Sequence, residues 1–289
     1  MLGVFREKAY AKVNFNLKVL PKREDGFHPI ESIFQTVNLF DELIVTEKES
    51  DGCEVECSSL KLPAKNTITM AYQAFCETVN CKVPGIKVVL QKGIPSGGGL
   101  GGGSSDAATL IRILEKMCGI TLSDLQLDYI ASKTGSDVFF FMNCDSEGKG
   151  CALVSGRGEI VKKIESRQDL FLLLIFPDVS SSTKEAYSLV DELLKLENKV
   201  KYPSFEELQS VYMQPPQKWV FNNTFTQPLV NTYSKICEAL SDLRKTEALF
   251  TDMSGSGSTV FGVFTLKQQA IYYCNLLAET WKCKVVETF

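Results

Sequence analysis

The residues best suited to chemistry in this chain form the run Pro95-Ser96-Gly97-Gly98-Gly99-Leu100-Gly101-Gly102-Gly103-Ser104-Ser105. Six of the seven residues from 97 to 103 are glycine, and each loses more backbone entropy on folding than any other residue would. Backbone that bare suits close approach of N–H groups to an anion, and the partial positive charge of a following helix N-terminus adds to the attraction. The run therefore reads as a nucleotide-phosphate loop. A β-branched apolar stretch over residues 86–90 leads into it and an amphipathic stretch over 107–118 leads out, the pattern of strand, loop and helix. A flexible linker would lack both flanks. A lysine-ended phosphate loop is excluded, because Gly103 is followed by Ser104 and Ser105. A dinucleotide fingerprint fits the glycines formally but lacks the acidic strand end about 20 residues on. Ser104 and Ser105 fall at the helix start, where their hydroxyls either cap the helix or hold a phosphate oxygen or magnesium.

Four other places carry polar groups worth weighing. Residues 9–20 alternate, with Ala11, Val13, Phe15, Leu17 and Val19 on one face and Lys12, Asn14, Asn16 and Lys18 on the other. In an ordinary strand that second face is solvated. Asp25-Gly26 is a tight-turn pair, followed by Phe27 and by His28, the single histidine of the chain. Loop placement favours a functional role for it. Asp137 follows a glycine turn and precedes the apolar run 138–141, a position that suits a helix cap and a site residue equally. Met253-Ser254-Gly255-Ser256-Gly257 is a second small-residue loop, either a plain turn or the other half of a clamp on phosphates.

The elements that position these groups follow from periodicity. Strands are predicted over 9–20, from the Phe27 turn through Phe34, and over 43–47, 52–57 and 86–90. A helix over 67–78 is capped by Asn66, and the helix after the glycine loop carries the stripe Ala107, Leu110, Ile111, Leu114 and Met117 and stops at Gly119. A helix over 122–133, a hairpin over 151–162 and a strand over 171–176 come next. Helices near 184–196, 204–212 and 228–243 precede a strand over 259–264, a helix over 266–279 and a strand over 283–287. A chain of 289 residues fits two domains, expected as an N-terminal nucleotide-binding domain over 1–165 and a C-terminal domain over 166–289. A net charge of −4 argues against a nucleic-acid surface. No apolar run approaches bilayer length and the N-terminal residues lack a signal peptide's apolar core, so the expected location is the cytoplasm, away from membranes. Ten scattered cysteines form no C-x-x-C pair and offer no metal-ligand spacing, and they read as small buried hydrophobes.

The pattern Pro-x-x-x-Gly-Leu-Gly-(Gly/Ser)-Ser-Ser resembles the signature of the galactokinase, homoserine kinase, mevalonate kinase and phosphomevalonate kinase superfamily, the GHMP kinases. Ala11-Lys12-Val13-Asn14, Asp25-Gly26-Phe27-His28, residues 95–105, Gly135-Ser136-Asp137-Val138 and residues 253–257 stand in the order and spacing of one branch, whose acceptor alcohol is carried on cytidine diphosphate. The resemblance runs from about Ala9 to Phe264. It implies a two-domain α/β (α+β) fold, with an N-terminal domain like a ribosomal-protein fold and a C-terminal ferredoxin-like domain. It implies ATP-dependent, magnesium-assisted phosphorylation of the 2-hydroxyl of cytidine diphosphate methylerythritol, in non-mevalonate isoprenoid precursor synthesis, by a monomer or weak homodimer. On this reading Asp137 is the base and Lys12 polarises the hydroxyl. Residues 95–105 with Gly255 and Gly257 hold ATP. Asn14, Phe27, His28 and Tyr187 hold the acceptor, Phe27 and Tyr187 closing on cytosine and His28 supplying hydrogen bonds. No residue is assigned to the metal. Phe27 stands where the family often has tyrosine, Phe139 where a proline is common, and residues 222–226 look like a degraded Asn-Asp-(Leu/Phe)-Glu segment. One alternative is a homoserine or mevalonate type of alcohol kinase, against which the Asp25 to His28 turn argues, because those acceptors carry no base. The other is a non-catalytic nucleotide-binding regulator, against which Lys12 and Asp137 together argue.

Overall fold

A computed structural model describes residues 3–179, 182–194 and 201–289. It opens with two long strands, β1 (Val4–Val19) and β2 (Ile30–Lys48). The strands expected through Phe34 and over 43–47 are one continuous strand, β2, which runs on through Asp41 because that residue is buried with its own hydrogen-bond partners. Next come β3 (Cys53–Glu56), α1 (Thr67–Thr78), β4 (Gly85–Gln91), α2 (Gly102–Cys118), α3 (Asp124–Thr134) and α4 (Ser136–Met142). The hairpin of β5 (Cys151–Gly156) and β6 (Ile160–Lys163) precedes β7 (Phe171–Phe176), α5 (Thr183–Leu194) and α6 (Leu208–Tyr212). The chain finishes with α7 (Thr226–Thr232), α8 (Ser234–Arg244), β8 (Phe250–Met253), β9 (Val260–Phe264), α9 (Lys267–Leu277) and β10 (Lys282–Glu287).

Local chemistry explains where these elements stop. Asn66 Oδ1 accepts from the Ile68 and Thr69 N–H groups at 3.0 and 3.1 Å while Thr69 Oγ1 accepts from the Asn66 N–H, a reciprocal capping box that starts α1 where the sequence predicts it. The single helix expected over 228–243 is two, α7 and α8, because Tyr233 is extended between them. The helix expected over 204–212 shortens to α6, with residues 205–207 in a turn. Residues 195–196 of the expected α5 lie outside the described residues.

The chain forms two compact units. The first contains Met1–Ala11, Leu39–Ser96 and Gly101–Gly150. In it β2 pairs antiparallel with β4 over Glu42–Lys48, and β3 pairs parallel with β4. Helices α1 to α4 pack on one another, with Phe75, Leu110, Ile111, Leu114, Phe140 and Phe141 buried among them. The second unit contains Lys12–Asn38, Gly97–Leu100 and Cys151–Phe289. Here the first part of β2 pairs with β5 and β5 with β6, and a separate antiparallel sheet has the order β10-β7-β9-β8. Its core gathers aromatic rings around Phe15, whose centroid lies 5.2 Å from Trp219, 5.7 Å from Tyr212 and 5.9 Å from Phe261. The expected division at residue 165 is linear along the chain, whereas these units are interleaved, since β1 and β2 each contribute to both.

Among the described residues, no helix is long and apolar enough to cross a membrane. All ten cysteines are free thiols, but only Cys151 is buried; Cys81 and Cys237 are exposed and the others are half-buried. The reading of most of them as core hydrophobes is therefore corrected, because they fall on partly exposed positions of strands, helices and connecting segments.

Candidate active site

The polar face of β1 is buried at Lys12, Asn14 and Asn16. Lys12 is 3 % exposed and Asn14 1 %, which corrects the plain alternation reading. A buried ammonium needs acceptors, and Lys12 Nζ donates to Asn14 Oδ1 at 2.6 Å and to the Gly99 carbonyl oxygen at 3.0 Å. It also stands 4.6 Å from the centroid of the Phe34 ring. Asn14 is fixed in turn, its Nδ2 donating to Ser32 Oγ at 3.0 Å and its backbone N–H to Ser254 Oγ at 3.3 Å.

Ser254 Oγ donates to the same Gly99 carbonyl at 3.0 Å, which joins the two glycine loops. A Cβ on Gly99 would collide with the Ser254 carbonyl oxygen, and one on Gly255 would lie 2.8 Å from the Gly99 oxygen. Both residues have positive φ, +74° and +58°. At these two positions bare backbone is required by loop against loop, where the sequence alone suggested an anion. Asn223 ties the second loop down: its Nδ2 donates to the Met253 and Gly255 carbonyls at 2.7 and 2.8 Å, and its Oδ1 accepts from the Phe225 N–H at 2.9 Å. Asp252 beside it accepts from Thr226 Oγ1 at 2.5 Å and from the Met253 N–H at 2.8 Å. Burial nevertheless pushes its carboxyl up to about 6.

The expected base pocket is arranged differently from a simple pair of rings. His28 Nδ1 stands 2.8 Å from the Leu20 carbonyl oxygen, which can only accept, so Nδ1 carries a proton. Its Nε2 is 3.0 Å from Asp191 Oδ1, misaligned for a hydrogen bond. Tyr187 stacks on His28 at 5.4 Å between centroids and meets the Phe225 ring edge-on. Phe27 is 48 % exposed, and the Arg157 guanidinium lies 3.6 Å above its ring.

In the first unit, α2 follows Gly101, an N-cap that has no side-chain acceptor to offer. The N–H groups of Gly102, Gly103 and Ser104 therefore have no cap from Gly101 and lie at the positive end of a 17-residue helix. Asp137 lies in the first turn of α4. The two helix starts adjoin, since a Cβ on Gly135 would lie 3.8 Å from Ser104 Oγ. Where β3 and β4 end, a cavity of about 720 Å³ is lined by Val55, Leu60, Leu62, Val89, Leu90 and Lys92, among others. Lys92 meets two buried carboxylates there, Asp41 and Asp106. Burial works against its ammonium, but Asp106 and Asp41 outweigh that and raise it. Burial likewise pushes the Asp106 carboxyl up, and Lys92 only partly offsets the effect.

Sequence reasoning missed the cavity, Arg157 and the charged cluster of Asp41, Lys92 and Asp106, and it noted Asn223 only as part of a family departure. Asp41 inside an apolar strand and Asp106 at the head of an apolar helix stripe were visible signals, because charged residues are rarely buried unless paired.

The fold is that of the GHMP kinases: residues 66–144 match the family model for the GHMP kinases N terminal domain, and the homoserine kinase of Cytophaga hutchinsonii shares the fold with a TM-score of 0.71 at 18 % identity, covering 99 % of this chain and 94 % of that one. A solved 4-(cytidine 5'-diphospho)-2C-methyl-D-erythritol kinase aligns with a TM-score of 0.77 and 26 % identity over 98 % of this chain and 99 % of its own. The 4-diphosphocytidyl-2-C-methyl-D-erythritol kinase of Treponema pallidum subsp. pallidum is 36 % identical over 281 residues, 95 % of this chain and 94 % of that protein. That of Thermotoga maritima is 40 % identical over 263 residues, 89 % and 91 % of the two chains. The chain belongs to the 4-diphosphocytidyl-2-C-methyl-D-erythritol kinase family and is an ATP-dependent kinase.

Proposed function

We propose that this enzyme transfers the γ-phosphoryl group of ATP to the 2-hydroxyl of 4-diphosphocytidyl-2-C-methyl-D-erythritol, in the cytoplasm. Asp137 takes the hydroxyl proton as the oxygen attacks the γ-phosphorus, the bond to the bridging oxygen breaks and ADP leaves. Lys12 polarises the attacking hydroxyl and offsets charge on the phosphoryl group. Such a transfer depends on positioning and charge stabilisation rather than on covalent chemistry, so one carboxylate, one ammonium and a backbone cradle are sufficient protein machinery. The observation that carries the reading is the buried Lys12 ammonium bonded to the backbone of the glycine loop.

The donor set suits a triphosphate. The uncapped start of α2 presents N–H groups to phosphate oxygens, with the Ser104 and Ser105 hydroxyls in the same turn. Magnesium bound with the triphosphate would offset negative charge on the phosphate groups, and the Ser104 and Ser105 hydroxyls would be the side chains to hold it. The 720 Å³ cavity at the end of β4 has room for the nucleobase of ATP, with Val55, Leu60, Leu62, Val89 and Leu90 as apolar lining and Glu56, Ser58, Ser59, Lys61 and Gln91 as polar lining. Phe27, His28 and Tyr187 are assigned to cytosine, with Asn14 beside the acceptor. The test is Asp137→Ala: turnover falls by about 10²-fold or more while Mg-ADP affinity is kept. A variant that still turns over at the wild-type rate removes Asp137 as base.

A further inference from the structure

The chain leaves the first unit after Ser96 and re-enters it at Gly101, and three charged side chains join the segments on either side of that excursion. Asp41 Oδ1 accepts from the Gly93 and Ile94 N–H groups at 2.7 and 2.8 Å, fixing the outgoing end. Its other oxygen takes the Lys92 ammonium, which also lies 3.3 Å from Asp106 Oδ2 in the first turns of α2, the returning end. The two ends are flush: a Cβ on Gly102 would come within 3.1 Å of Ile94 Cγ2 and 3.3 Å of Lys92 Nζ. Asp41 is fully buried and Asp106 is 2 % exposed.

Stability alone does not account for this arrangement. Well-packed apolar residues replace buried ion pairs at little or no loss of stability, and one oxygen of Asp106 is buried without a well-aligned hydrogen bond, while the Asp41 carboxylate acts on the same group as a like charge. Geometry is what the triad supplies. It sets the separation between residues 93–94 and residue 106, and so where the start of α2 and its N–H groups lie relative to the end of β4.

We propose that Asp41, Lys92 and Asp106 form a clasp that positions the phosphate loop for nucleotide, a role that rests on the kinase reading above. Asp106 acts through Lys92 and through the first turn of α2, so it is a positioning residue and not a catalytic one.

The experiment is Mg-ADP titration calorimetry on the full chain, with thermal melting as the check on folding. Asp106→Leu keeps the branched shape of the side chain and removes the acceptor; it stays folded and binds Mg-ADP about tenfold more weakly or worse. Asp106→Asn keeps an acceptor for Lys92 and restores affinity to near the wild-type value. A folded Asp106→Leu protein that binds as tightly as wild type overturns the clasp, as does an asparagine variant no better than the leucine one. If the leucine variant does not fold, Asp41→Asn carries the same expectation, because its amide faces the ammonium with a donor; unchanged affinity there overturns the clasp. A wild-type chain that binds no Mg-ADP overturns the kinase reading itself, and that outcome is distinct from the others.

Discussion

Lys12 donates to the carbonyl oxygen of Gly99 at 3.0 Å, so the ammonium assigned to catalysis is held by the backbone of the loop assigned to phosphate. Replacing it by methionine keeps the length of the side chain and removes the charge. Lys12→Met is expected to lower kcat by about 10²-fold or more, and Lys12→Arg is expected not to rescue it, because a guanidinium does not fit a site that is 3 % exposed. Steady-state kinetics at saturating ATP check this; a methionine variant keeping most of its kcat would contradict it.

Gly99 and Gly97 both have positive φ but differ in surroundings: a Cβ on Gly97 meets open space, while one on Gly99 collides with the Ser254 carbonyl. Gly97→Ala is expected to cost about 1–2 kcal/mol from conformation alone. Gly99→Ala adds the collision, costs clearly more and weakens nucleotide binding. Urea unfolding of the two variants side by side decides the matter, since equal losses are incompatible with the loop contact.

Asn223 supplies two hydrogen bonds to the backbone of the second glycine loop. Asn223→Ala leaves those buried carbonyls unpaired, at a cost of about 1–3 kcal/mol, and raises KM for ATP. Unchanged stability and KM would show that the second loop holds itself.

Asp252 gives a pH dependence whose sign can be worked out. Its folded carboxyl is raised by burial to about 6, above the ordinary value of 3.8. The folded state therefore binds the proton more tightly than the unfolded chain, and this contribution to stability is full below about pH 4 and lost as pH rises through about 6. The difference corresponds to roughly 3 kcal/mol. Asp252→Asn lacks this term, so its stability relative to wild type is expected to improve by an amount of that order between pH 4 and 7. Denaturant unfolding at the two pH values tests it, and a gap that does not change with pH contradicts it.

Much of this was legible in the chain because local chemistry and tertiary demand agree. Asn66 announces α1, Gly119 ends α2, and the run from Phe171 to Phe176 is a strand because it is apolar on both faces and is buried. The glycine loop was legible as a loop, yet the reason for Gly99 was not, since Ser254 lies 155 positions away and no local pattern reports that approach. Lys12 and Asn14 look like solvated residues of an alternating strand; only partners distant in sequence, such as Gly99 and Ser32, explain their burial. The Lys92 clasp escaped for the same reason, its members standing at positions 41, 92 and 106. Tyr187 was placed in the base pocket by resemblance, and its stacking on His28 could not be read from spacing.

The acceptor is the central claim, and one assay addresses it. Purified protein with ATP and magnesium is offered 4-diphosphocytidyl-2-C-methyl-D-erythritol, the same alcohol without its cytosine, homoserine and mevalonate, and ADP release is followed. The account predicts turnover with the intact cytidine substrate and none of comparable efficiency with the other three. Equal or faster turnover with a base-free alcohol would contradict the cytidine pocket built from Phe27, His28 and Tyr187.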